Sequence, residues 1–176
     1  MSAVEWSVSQ LVARMLVLLG PVVALFAAAA AEVPPTGWMA AVVVALSLGW
    51  AFFPESAFGT VSLAAVIAWW GRSDLAELPV SALVAAFALL VAHVAAVLTA
   101  YGPAEMAIDG PTVRLWVTRG AAVFAAAPVV WLLALLLRDQ PEPPGVWIAG
   151  MVAIVVAAVV AAVAFVLPEE KPVAEA

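Results

Sequence analysis

The sequence of 176 residues contains no cysteine and a single histidine, and only 10% of its residues are charged. Without cysteine there can be no disulfide, no thiolate nucleophile and no cysteine-bound metal. Six basic and twelve acidic residues give a net charge of -6, which is too sparse and of the wrong sign for a nucleic-acid surface. A glycine-rich phosphate loop, zinc-spaced histidines and a G-x-S-x-G elbow are also missing from the sequence. We therefore expect no enzyme, no cofactor and no nucleic-acid partner.

Apolar residues make up 68% of the chain, whereas soluble domains carry about 25% charged residues. The polar residues are collected into short breaks between apolar runs, each near the ~20 residues that cross a bilayer as a helix. This pattern predicts an all-α, polytopic transmembrane helix bundle that forms one integral membrane domain over residues 1–176. The six predicted spans cover residues 12–31, 36–53, 56–70, 79–101, 112–137 and 145–167, and a short acidic tail follows at 168–176.

Two of these spans have an alternative interpretation. The third, Ser56 to Trp70, has about fifteen residues and would reach only ~22 Å, so it is either a thin span or a re-entrant helix that leaves five spans. The first could instead be a signal peptide, because residues 27–31 offer an A-x-A cleavage site. Its apolar run is long for a signal core, which favours a span.

The two halves of the chain share an order of residues that a duplicated helical hairpin would explain. Residues 14–38 and 119–147 each begin with an arginine and continue through a Pro-Val-Val triplet. A charged residue, a Pro-Pro pair and a tryptophan follow in both. Chance matches are common in a chain rich in Ala, Val and Leu, so duplication and coincidence both stay open.

Basic residues at the ends of the spans predict the orientation. With six spans and a cytoplasmic N-terminus, four basic residues lie inside and two lie outside, as the positive-inside rule requires. The inside set is Arg14, Arg114, Arg119 and Lys171, and the outside set is Arg72 and Arg138. Arg14 and Arg119 are thus predicted on the same side.

His93 is the candidate functional residue inside the membrane. An ionisable side chain within an apolar span suggests a functional role by default. For His93 that role would be a proton relay or a contact with a ligand. A neutral imidazole that hydrogen-bonds a neighbouring helix is the structural alternative. We favour the structural alternative, because no acidic residue lies in the middle of another predicted span.

Three residues before the fifth apolar run, Arg114, Trp116 and Arg119, place two cations and an indole where a bilayer surface would be. They are predicted to anchor the helix, or to form a docking face for an anionic lipid headgroup or an acidic partner surface. Trp38, Trp50, Phe52 and Phe53 are predicted to be interfacial aromatic residues.

Small residues recur every four positions in three spans, a spacing that lets membrane helices approach closely. In the last span they are candidate helix-packing residues. The three stripes are Gly20, Ala24 and Ala28; Ala88, Ala92, Ala96 and Ala100; and Ala149, Ala153, Ala157 and Ala161.

The motifs FFPESAFG, AWW, HVAAVLTAYGP, RLWVTR and PPGVWIAG follow one another between residues 52 and 150. In this order they resemble a family of small, uncharacterised multi-spanning membrane proteins of high-GC Gram-positive bacteria, encoded near MoxR-type ATPases. The resemblance implies a bacterial plasma membrane and a partner in a MoxR-type ATPase system. It supplies no catalytic motif.

Two functions are consistent with these observations. The first is a non-catalytic packing or scaffold component of a membrane protein complex, in contact with lipid and with other membrane proteins or further copies of itself. The alternative is a small transporter or channel subunit, which His93, the two prolines within spans and the internal repeat would favour.

Overall fold

A computed structural model describes residues 7–72, 79–103 and 105–139, and single residues at 141, 145, 148, 151, 152, 155, 156 and 159. The chain divides into two units, Met1–Arg138 and Asp139–Ala176. The described part of the first unit consists of α1 (Val8–Ala27), a 3-10 helix (Ala28–Ala31), α2 (Gly37–Phe52), α3 (Ala57–Trp70), α4 (Ser81–Ala100) and α5 (Gly110–Leu137). In the second unit, positions 148, 151, 152, 155, 156 and 159 are helical. The all-helical prediction is confirmed for the part of the chain that the structure describes.

Three of these helices, rather than six, are long and apolar enough to cross a membrane. They are Val8–Ala31, which includes the 3-10 turn, Ser81–Ala100 and Gly110–Leu137. Among the described residues, the predicted second and third spans fall short of this length, because α2 has 16 residues and α3 has 14. Those lengths give about 24 and 21 Å, less than the ~30 Å of a hydrocarbon core. The predicted sixth span, 145–167, lies largely outside the described residues.

Local sequence explains where the helices begin and end. The Ser7 hydroxyl accepts a hydrogen bond from the Gln10 amide and caps the start of α1. After the 3-10 turn, Glu32 takes a left-handed conformation with φ 60°, which closes the end of α1 before two prolines. Asp109 caps α5 in the same way as Ser7, and Pro111 occupies the first turn of α5.

The five helices alternate in direction between two ends of the first unit. At one, the Arg14 end, the Arg14 guanidinium binds the last turn of α2, and the Ser9 hydroxyl accepts from the Ile108 amide ahead of α5. At the other, the Trp70 end, the Trp70 indole binds Ala24 of α1. The helix α3 therefore runs from the Arg14 end of the unit to the Trp70 end.

The centre of the unit is α1, which contacts α2, α3 and α4. Gly20 permits the closest approach, because a Cβ atom added there would lie 2.5 Å from Ala92 Cβ and 2.6 Å from the Ala88 carbonyl oxygen. Ala24 and Ala28 are fully buried on the same stripe. The small-residue stripes predicted on α1 and α4 are thus confirmed as packing surfaces, except for Ala100, which is exposed. Gly20 of the first stripe packs against Ala88 and Ala92 of the second.

Two clusters of buried residues form the core, one toward each end. The cluster at the Trp70 end contains Ala24, Leu25, Ala28, Met39, Val43, Val66, Trp69, Ala85 and Ala88. The cluster at the Arg14 end contains Ala13, Val17, Trp50, Ala51, Ala92, Ala95 and Ala96. The interfacial prediction for Trp50 is wrong: only 4% of its surface is exposed, and its ring packs over Gly59 of α3. Trp38, Phe52 and Phe53 are exposed, as expected of interfacial residues.

Candidate functional site

His93 lies on α4 with its side chain exposed, on the wall of an open groove between α3 and α4. We call this the His93 groove; its volume is about 730 Å³, within the range of ~300–1,000 Å³ common for ligand sites. The described residues offer the imidazole no hydrogen bond. The expected bond from His93 to a neighbouring helix is therefore absent from the described part of the chain.

The fold brings polar groups from distant parts of the sequence into the His93 groove. Glu55 and Ser56 come from the turn before α3, Thr60 from its first turn, and Tyr101 from the end of α4. The Ser56 hydroxyl is already engaged, because it donates to the Phe53 carbonyl at 2.6 Å. A carboxylate and an imidazole along one groove could bind a cation or exchange protons. Sequence reasoning missed this grouping because Glu55 lies in a turn and not within a span.

A second groove separates α5 from α1 and α4, and it contains the predicted anchoring residue Trp116. We call it the Trp116 groove; its volume is about 650 Å³ and its lining is almost wholly apolar. Phe87 of α4 and Phe124 of α5 meet edge to face across it, with ring centroids 5.1 Å apart. The Tyr101 ring lies 6.2 Å from that of Trp116.

The structure separates the three predicted residues Arg114, Trp116 and Arg119 into two places. The Arg119 guanidinium lies over the Trp116 ring, 5.7 Å from its centroid, so these two form one unit at the edge of the groove. Arg114 lies on another face of α5, beside Pro111 and Thr118. Of the three residues predicted to anchor the helix or form a docking face, the structure therefore brings together only Trp116 and Arg119.

Asp109 fixes the start of α5, ahead of Trp116 and Arg119 in the chain. Its carboxylate accepts a hydrogen bond of 2.9 Å from the Thr112 amide. That bond is the main reason why the pKa of Asp109 lies below its usual value. The charge also faces the positive end of the α5 dipole, which favours the ionised cap.

Arg14 has a structural role that was not apparent when basic residues were counted to predict the orientation. Its guanidinium donates to the carbonyl oxygens of Ala51 and Phe52, at 3.3 Å for Phe52. Pro54 follows and cannot supply a backbone donor, so Arg14 satisfies the last turn of α2. Arg119, its counterpart in the possible repeat, has a different role, because its guanidinium lies over the Trp116 ring.

Two tryptophans at the end of α3 bind backbone rather than the bilayer surface. Trp70 donates to the Ala24 carbonyl at 2.9 Å, and Trp69 donates to the Val33 carbonyl at 3.1 Å. The 3-10 turn explains the first bond, because the Ala28 amide pairs with Leu25 and no longer with Ala24. No sequence signal distinguishes these indoles from interfacial ones.

Buried polar groups between helices were also missed by sequence reasoning. The Ser47 and Ser62 hydroxyls hydrogen-bond at 3.2 Å between α2 and α3. Gln10 is 1% exposed, and its side-chain carbonyl oxygen has no hydrogen-bond partner among the described residues. Isolated serine and glutamine residues in apolar runs were the available signal.

Two further predictions concern metal binding and the last span. The described residues contain no group of three His, Cys, Asp or Glu side chains that could hold a metal ion. The candidate packing residues Ala149, Ala153, Ala157 and Ala161 lie outside the described residues. Neither the prediction of a packing stripe nor that of a duplicated hairpin is tested there.

Comparison with known proteins adds no family. No protein-family model, no curated protein and no solved structure matches the chain.

Proposed function

We propose that the protein is a non-catalytic, multi-pass membrane protein that acts as a packing or scaffold component of a membrane protein complex. The observation that supports this most is α5, the longest described helix, of which no described residue is buried. Each of α1 to α4 contributes buried residues to the core. The helix α5 thus adds no buried residue to the core that the described residues form, and in this proposal its exposed surface receives another helix.

The outer side of α5 carries a continuous apolar stripe that would receive this helix. Val123, Val130, Leu133 and Leu137 recur at helical spacing and are each more than half exposed. In lipid, close contact between helix surfaces is what drives association. Another membrane protein or a second copy of the chain would pack on this stripe. A component of a MoxR-type ATPase system is the partner that the sequence resemblance favours.

Photo-crosslinking from a cysteine tests this proposal without background, because the chain has no native cysteine. Leu133→Cys places a benzophenone label on the stripe, and Val84→Cys on α4 is a matched control, since their exposed fractions are 51% and 50%. We expect a discrete protein adduct from position 133 in native membranes and none from position 84. Equal yields, or lipid adducts alone at both positions, would contradict the proposal.

The proposed location is a bacterial plasma membrane, with the N-terminus and the Arg14 end in the cytoplasm. Arg14, Arg114 and Arg119 lie at this end and Arg72 at the other, which supports the orientation. In this proposal α2 and α3 also cross, with local bilayer thinning to match their length. Impermeant thiol reagents should label Arg72→Cys from the outside and Thr112→Cys only after the membrane is opened.

A second candidate function is a small transporter or channel subunit, and the His93 groove favours it. Here a cation or proton would enter beside Glu55 and reach His93. His93→Ala and Glu55→Gln should each abolish pH changes in proteoliposomes while leaving complex assembly intact. Transport that persists in both variants would remove this candidate.

A further inference from the structure

The Trp116 groove has the length of one membrane leaflet. Its α5 wall runs from Val113 to Ala125, and the twelve helical rises between them make about 18 Å. Half of a ~30 Å hydrocarbon core is ~15 Å. Its walls are apolar side chains of three helices, so a chain of methylene groups would replace water throughout.

The helix that forms this wall is longer than the bilayer core. With 28 residues, α5 extends about 42 Å, which exceeds the ~30 Å core by about eight residues. When Leu137 lies at the far boundary, Gly110 to Val117 project beyond the near boundary. Trp116 then lies at headgroup depth, Arg119 lies about 3 Å inside the boundary with a side chain long enough to reach the headgroups, and Phe124 lies within the hydrocarbon.

The groove also contains a polar group that the protein leaves unused. The indole nitrogen of Trp116 is buried and has no hydrogen-bond partner among the described residues. Leaving a buried donor without an acceptor costs free energy, so an oxygen acceptor is expected at this point. The guanidinium of Arg119 lies over the same ring. One cation and an indole donor at the same place are complementary to a phosphate group.

From this geometry we infer that the Trp116 groove binds a phospholipid with an anionic headgroup. One acyl chain lies between α4 and α5 toward the Phe87–Phe124 pair. The phosphate accepts from the Trp116 indole and pairs with Arg119. This site is independent of the proposed scaffold function, because the apolar stripe of α5 lies on another side of the helix.

A photoactivatable phosphatidylglycerol with a diazirine on its acyl chain tests the site in the purified full-length protein. We expect the probe to label residues that line the groove, such as Leu90, Val94 and Ala121. Excess phosphatidylglycerol should compete, whereas excess sn-glycerol 1-phosphate should not, because the acyl chain supplies the apolar contact. Displacement by glycerol phosphate would show a free-phosphate site instead and overturn the inference.

Matched substitutions on α5 separate groove binding from nonspecific labelling. Ala121 lines the groove and Ala122 does not, although both are exposed alanines of one helix. Ala121→Phe should reduce labelling at least tenfold, and Ala122→Phe should leave it unchanged. Equal labelling of the two variants would refute the site.

A change of charge gives a second measurement that does not depend on filling the groove. Arg119→Gln should weaken the preference for phosphatidylglycerol over phosphatidylcholine by about fivefold, the effect of one basic residue near an anionic surface. Trp116→Phe keeps an aromatic side chain but removes the indole N–H donor, so it should weaken the binding of both lipids. An unchanged lipid preference in Arg119→Gln would overturn the headgroup assignment.

Discussion

Substitution of Gly20 should separate the two helices on which the fold depends most. A Cβ atom at this position would lie 2.5 Å from Ala92 Cβ and 2.6 Å from the Ala88 carbonyl oxygen, and ordinary contact begins near 3.4 Å. Because Ala88 contributes a backbone atom, no side-chain rotation relieves the overlap. The helices α1 and α4 must therefore move apart by about 0.9 Å.

The expected cost can be divided into two opposing terms. Overpacking a core costs about 1–3 kcal/mol. A glycine within a helix costs up to about 1 kcal/mol relative to alanine, so Gly20→Ala recovers part of the loss. Valine recovers only a few tenths of a kcal/mol and adds two methyl groups to the same space. We expect Gly20→Ala to lose about 0–2 kcal/mol and Gly20→Val about 1–3 kcal/mol or more.

Equilibrium unfolding by sodium dodecyl sulfate in mixed micelles, followed by tryptophan fluorescence, would measure these losses. Gly37→Ala is the control, because nothing lies within 4 Å of a Cβ atom added at the start of α2. Ala92→Gly in the Gly20→Ala background should restore part of the stability, since it removes the nearer of the two contacts. If Gly20→Val unfolds at the same detergent fraction as Gly37→Ala, the close crossing of α1 and α4 is wrong.

Three further predictions use the same assay or amide exchange. Arg14→Met should cost about 1.5–3 kcal/mol, the range for charged hydrogen bonds, and Arg14→Lys should cost less; equal losses would argue against the guanidinium contact. Ser47→Ala should cost ~0.6 kcal/mol, and adding Ser62→Ala should cost little more, because one shared bond is lost. Additive losses would contradict that bond. The Asp109 pKa is lowered on folding, so its stabilisation is full above about pH 4 and is lost as pH falls through the folded value. Exchange of the Thr112 amide should therefore accelerate only in acid, and in Asp109→Ala at every pH.

The sequence predicted the positions of the helices along the chain well, but it did not predict which helices lie next to one another. Prolines and polar breaks fixed the ends of α2, α3 and α4 to within about two residues, because a proline cannot continue a helix. The stripe at Gly20 identified a packing face by its spacing alone. Apolar composition alone did not show which helices are long enough to cross a bilayer, because α2 and α3 are apolar but short.

The grooves could not be predicted, because each depends on which helices are adjacent. Glu55 and His93 are 38 positions apart, and only the approach of α3 to α4 places both on one groove. Trp50 and Trp38 each follow a glycine and lie in an apolar segment, yet Trp50 is buried and Trp38 is exposed. Burial of an aromatic residue in a membrane helix depends on which face meets another helix, and hydropathy does not report that.

The hydrogen bond from the Trp70 indole to the Ala24 carbonyl implies an order in which parts of the fold form during synthesis. Its two partners are separated by 46 positions, so the acceptor is synthesised before the donor. A carbonyl without a partner costs several kcal/mol in lipid. Before α3 arrives, we expect Ala24 to pair with the Ala28 amide in a regular α-helical turn. The 3-10 end of α1 is then a late feature, formed when the indole of Trp70 replaces that amide, and a nascent chain that stops before Trp70 should retain a straight first helix.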